Sequence, residues 1–140
     1  MKFQLLLLLA TVTTTTWAQS DKYAMKSAEM FQKETNRQIA ERNAEAITGP
    51  AWVFFKYLAC DGIEKDADSY AQTLMSYGPI GKVINARWVT EPSINVEVVI
   101  YQVQYGERTI EVRIRQRERE TNGVQTQHSW YLDRAKELKC

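Results

Sequence analysis

The chain is poor in the residues that usually announce a reaction. Its 140 residues hold one histidine, His128, and two cysteines, Cys60 and Cys140. One imidazole and two well-separated thiols do not make a zinc ligand set. No Ser-His-Asp order, metal-ligand spacing or glycine-rich phosphate loop is present. No catalytic motif and no cofactor are therefore expected. An excess of one charge is lacking too, with 18 Lys and Arg against 17 Asp and Glu. Such a chain has no global field to draw in nucleic acid or anionic lipid. No apolar run is long enough to span a bilayer. Only six glycines and three prolines punctuate the chain, so elements should be long and turns easy to place.

What is present begins with a leader. "MKFQLLLLLATVTTTTWAQS" places Lys2 before the apolar stretch Leu5 to Ala10, then offers Thr16-Trp17-Ala18 as a small-x-small cleavage site. Residues 1–18 are expected to be removed, giving an exported protein of the periplasm or extracellular space that does not span the membrane. Lys2 would leave with the leader and take the basic count from 18 to 17, equal to the acidic count. In an oxidising compartment, Cys60 and Cys140 read as one disulfide tying the last residue to the middle of the chain. The alternative is a C-terminal thiol that cross-links a partner.

Residues 19–48 are expected to form a long amphipathic helix. From Tyr23 to Ile47 there is no Gly or Pro, and Ala24, Ala28, Phe31, Ile39 and Ala46 recur at helical spacing. Thr48-Gly49-Pro50 ends it. "PAWVFFKYLAC" is apolar nearly all round and is read as a second helix at the core, closed by Asp61-Gly62. A third helix should run from Asp66 to about Tyr77. After Gly81 the period changes to two, and strands are expected over Lys82–Thr90, Ile94–Tyr105, Arg108–Glu120 and Val124–Arg134. The fold class is α+β. N-terminal helices should pack on one face of a curved four-stranded antiparallel meander, with residues 49–140 and the preceding helix forming one domain.

The strand registers can be argued from burial. A two-residue turn at Gly106-Glu107 pairs Tyr105 with Arg108, Tyr101 with Val112 and Val99 with Ile114, apolar against apolar. Between the last two strands, a loop at Thr121-Asn122-Gly123 sets Ile114 opposite Trp130 and Val112 opposite Leu132. Arg113, Arg115, Arg117 and Arg119 then all face outward. Their neighbours on that face are Val96, Val98, Ile100 and Tyr131. The stretch is not a basic arm, since Glu107 to Glu120 interleaves glutamates with its arginines. Either the arginine stems simply cover exposed aliphatics, or the face is a protein–protein surface, for which Arg and Tyr beside aliphatics are suited.

On the inner face the same registers align Glu97, Gln116 and His128. With Trp88, Tyr101 and Trp130 nearby, this row reads either as the mouth of a small-ligand pocket or as the polar rim where helix cover ends. A pocket would make Glu97 and His128 acid–base candidates.

Helices followed by an antiparallel sheet resemble the nuclear-transport-factor-2-like (cystatin-like) fold, as found in small secreted bacterial domains. The segments "AWVFFKYLACDGIEKDADSYAQTLM" and "HSWYLDR" carry the resemblance, which covers about Pro50 to Arg134. It implies a cone-shaped domain with a possible pocket between helices and sheet, and often a dimer through the outer sheet face. Members of that group include isomerases, dehydratases and many non-catalytic binding modules. Only Glu97, Tyr101 and His128 could act in a pocket here, and none maps onto a catalytic motif. The expected function is non-enzymatic binding of a protein partner, or of a second copy as a homodimer, through Val96, Val98, Ile100, Arg113, Arg115, Arg117 and Tyr131. Envelope assembly and toxin neutralisation both fit, and a small-ligand pocket protein is the alternative.

Overall fold

The computed structural model describes the backbone of residues 2–91, 96–117 and 130–140, and side chains within those ranges from residue 21 onward, Glu91 excepted. Its elements run α1 (Lys2–Ala40), α2 (Ala44–Thr48), β1 (Ala51–Leu58), β2 (Glu64–Lys65), α3 (Ala67–Ser76), β3 (Lys82–Glu91), β4 (Val96–Tyr105), β5 (Arg108–Gln116) and β6 (Trp130–Glu137). One six-stranded sheet has the order β2-β1-β6-β5-β4-β3. Every neighbouring pair is antiparallel except β1 and β6, which run parallel. The expected four-stranded antiparallel meander is therefore wrong. The meander exists as β3 to β6, but two further strands extend it through a parallel join.

The error lies in "AWVFFKYL", expected as a core helix and found as β1. Eight residues rich in aromatic and β-branched side chains suit a strand better than a helix. Phe55 and Tyr57 turn inward, where both rings meet Tyr70 of α3 at 5.4 and 5.2 Å. Lys56 between them is exposed. The long helix also differs from expectation, because it breaks at residues 41–43. Arg42 takes a positive φ of 52°, and the Asn43 side chain then caps α2 by accepting from the Ala46 amide at 3.1 Å. The leader expected over residues 1–18 falls within the α1 backbone, where side chains are not described.

Alternation decides the core. Val99, Tyr101, Val103, Ile110, Val112, Ile114, Trp130 and Leu132 are buried on the inner face, with α1 over β3 and β4 and α3 over β1. The β4–β5 register is the expected one, with Tyr105 opposite Arg108, Tyr101 opposite Val112 and Val99 opposite Ile114. Gly106 carries the positive φ of 61° that this tight turn requires. The β5–β6 register is displaced by two residues from the expected one, pairing Ile114 with Leu132 and Gln116 with Trp130. A shift of two keeps side chains on their face, so the hydrophobic pattern cannot detect it, but beyond Leu132 the shift is three, with Val112 opposite Ala135. Asp133 is the extra residue of a bulge in β6.

Polar groups tie the layers together. The Gln32 amide donates to the Tyr105 hydroxyl at 2.7 Å and accepts from the Tyr101 hydroxyl at 3.2 Å. Glu137 is buried, and one carboxylate oxygen accepts from Tyr57 at 2.8 Å and also from Tyr77. Arg108 donates to the Tyr77 hydroxyl at 3.2 Å and stacks on its ring. Burial, and then the Glu137 carboxylate, push the Tyr57 and Tyr77 phenols well up, so both remain protonated donors. Cys60 and Cys140 form a disulfide across a separation of 80 residues. It fits an oxidising compartment. Among the described residues, no helix is long and apolar enough to cross a membrane.

Candidate functional site: the outer sheet face

The face away from the helices collects cations. Register and alternation place Lys56 of β1, Arg87 of β3, Arg113 and Arg115 of β5, and Arg134 and Lys136 of β6 on it. Arg117, just past β5, joins them. The described anions on the same face are Glu64, Glu111 and Asp133. The chain as a whole is nearly neutral, so its charges are sorted in space rather than in sequence.

Each of the three β5-side guanidiniums is held. Arg113 lies with Nε 2.8 Å from a carboxylate oxygen of Asp133, which is nearly buried. Arg115 reaches across β6 to lie over the Trp52 ring, 3.8 Å from its centroid. Arg117 lies over the Tyr131 ring at 4.2 Å. Stacking leaves the in-plane N–H donors of a guanidinium free to meet carboxylates, so ring contact orients these two cations without neutralising them.

The aliphatic strip beneath is less open than expected. Val96 and Ile100 are half-buried, and Val98 is 1% exposed between Val89 and Arg115. The contact groups of this face are therefore its arginines and rings. Trp52, Phe54, Lys56, Arg87, Asp133, Arg134 and Lys136 were not foreseen there. For Trp52, Phe54 and Lys56 the signal was the aromatic-rich composition of "AWVFFKYL", which, read as a strand, alternates these three on one side.

The inner row is only partly assembled. Glu97 pairs with Thr90 on β3, and its carboxyl is pushed up by burial. Gln116 pairs with Trp130, the position expected for His128, and His128 itself lies outside the described residues. Trp88 packs edge-on against Trp130 at 6.2 Å and against Tyr23 at 4.8 Å. Tyr101 is fully buried, with its hydroxyl used by Gln32. An open groove of about 500 Å³ runs elsewhere, between α1 and the start of β3, past Gln32, Asn36 and Ile80. A second of about 470 Å³ lies beside Tyr77 and Arg108. Neither includes Glu97, Trp88, Gln116 or Trp130. Among the described residues, no group of three or more side chains could hold a metal ion.

No protein-family model matches the chain. No curated protein matches it either. Among solved structures, the crystal structure of a DUF4783 family protein from Bacteroides fragilis YCH46 is similar. It is 10% identical, with 76% of this chain and 96% of that chain covered at a TM-score of 0.41. Likeness of that degree carries no argument about activity, and the nuclear-transport-factor-2-like resemblance gains no family-level support from it.

Proposed function

We propose that this protein is an exported, non-enzymatic binding module whose outer sheet face takes an acidic segment of another protein. The observation behind this reading is the sorting of charge. Cations from β1, β3, β5 and β6 share one face, and Arg115 and Arg117 are fixed over rings with no ion-pair partner among the described residues. Guanidiniums oriented in this way suit carboxylates, and aromatic and arginine side chains dominate the energetics of protein contacts. The disulfide supports an extracytoplasmic setting, and the nuclear-transport-factor-2-like resemblance is kept as part of the same proposal. A second copy offers a poor partner for this face, because a two-fold contact would set cations against cations. The pocket reading through Glu97 and His128 is not taken further, since His128 lies outside the described residues.

A charge-reversal experiment tests the reading. Fluorescence anisotropy should detect binding of labelled polyglutamate at low salt, weakening as salt rises, while labelled polylysine stays free. The double variant Arg115→Glu/Arg117→Glu should weaken binding by more than about tenfold with its melting temperature little changed. Equal binding of both polymers, or no effect of the double variant, would refute the proposal.

A further inference from the structure

Strand β1 parts from its neighbour where its apolar residues are most exposed. Ala51 pairs with Leu132 and Lys56 with Arg134, so Trp52 to Phe55 stand opposite Asp133 alone. On the other side, β2 pairs only with Tyr57 and Leu58. The backbone from Trp52 to Phe55 thus forms an arch with no ladder partner among the described residues. Val53 is 81% exposed and Phe54 65%.

The arch is pinned at both ends. The Leu132 amide donates to the Pro50 carbonyl at 2.7 Å, and Phe55 is buried against Tyr70. Trp52 is clamped between Phe54 at 4.9 Å and the Arg115 guanidinium. Edge strands of this composition are normally blunted by charge or proline, because their unpaired N–H and C=O groups recruit other strands. Here the first charge is Lys56, at the end of the arch.

Resting on the acidic-partner reading above, we infer that the Trp52–Phe55 arch is the edge on which an extended segment of that partner adds as a strand. The occupant is a polypeptide alternating acidic and apolar residues. Its backbone pairs with the arch, its apolar side chains cover Val53 on one face, and its carboxylates meet Arg115, Lys56 and Arg134 on the other, beside Phe54. Strand addition of this kind draws affinity from main-chain hydrogen bonds and specificity from alternate side chains. Charge selects this occupant over a second copy, whose own Lys56 and Arg134 would be brought opposite these.

The test uses the full chain and a labelled peptide of alternating Glu and Val, beside the same peptide with alternate amides N-methylated. N-methylation removes ladder hydrogen bonds and keeps every charge. The unmodified peptide should bind about tenfold more tightly, and the double variant Val53→Ser/Phe54→Ser, at exposed positions, should erase that difference with the melting temperature unchanged. Equal, salt-sensitive binding of both peptides would overturn the strand addition and leave the acidic-partner reading standing. Failure of both peptides and of polyglutamate would overturn the two together. Phe54-dependent binding to phosphatidylglycerol vesicles with no peptide binding would assign the arch to a lipid surface instead. Phe54-dependent growth of mass with concentration would assign it to self-association. Either result overturns the inference.

Discussion

Gly81 sits where the chain enters β3 and is clamped there by Asn36, whose amide donates to its carbonyl at 2.8 Å and accepts from its N–H at 3.2 Å. A methyl group at this position would come within 2.6 Å of both the Gln32 amide nitrogen and the Tyr105 ring. Gly81→Ala should therefore displace the Gln32–Tyr105 bond and destabilise the fold by about 1–3 kcal/mol, as overpacking does. Thermal unfolding checks this, and an unchanged midpoint would contradict it. Glu97 gives a pH signature of known sign. Its carboxyl is pushed up by burial, so the folded protein favours the protonated form. The associated stability is present below the ordinary carboxylate range and is lost as pH rises through the elevated value. Glu97→Gln should thus raise the melting temperature at neutral pH, with the gain vanishing in acid. A gain that persists in acid would contradict this assignment. At this scale the sequence was also misleading about Val98. It alternates outward as expected, yet its burial makes it a poor probe of the surface, because a charge there would disturb folding itself.

Among the elements, legibility followed the strength of the alternation. The β4–β5 hairpin could be read pair by pair, because one face is wholly apolar and Gly106 marks the turn. The β5–β6 pair was misplaced by two residues before the Asp133 bulge, a shift to which facing is blind, and by three after it, and no pattern announces the bulge or its ion pair with Arg113. Strand β1 was mistaken for a helix because a short apolar run has no period of its own. Only its length and its β-branched and aromatic content could have decided the matter. The cysteine pairing was legible from compartment and parity alone. The bond ties the end of the chain beyond β6 to the turn after β1, the two strands of the parallel join. In the chain-entropy model a closed loop of this size contributes about 4 kcal/mol, mostly by restricting the unfolded chain. Chemical denaturation with and without a reductant should show a loss of that order. Two reactive thiols in the native, unreduced protein would contradict the bond.

Over the whole molecule, a near-zero net charge conceals a dipolar surface. Counting along "TIEVRIRQRERET" sets glutamates against arginines, and Glu111 does share the outer face with them, but other strands add cations to that face. Arg113, Arg115 and Arg117 lie with Arg87, Arg134, Lys56 and Lys136 on the outer sheet face, while Glu97 points inward and Asp61, Asp66 and Asp68 gather at the β2–α3 end. The cationic face could not be read from composition, because Lys56, Arg134 and Lys136 arrive on β1 and β6, whose neighbourhood is made by the parallel join. The central claim is that this face is where a partner binds. Amide shift mapping by NMR during titration with polyglutamate tests it most directly. The account predicts that the largest shifts fall on Trp52 to Lys56, Arg113 to Arg117 and Tyr131 to Arg134. Shifts confined to the α1–β3 groove or to Trp88 and Glu97 would contradict it.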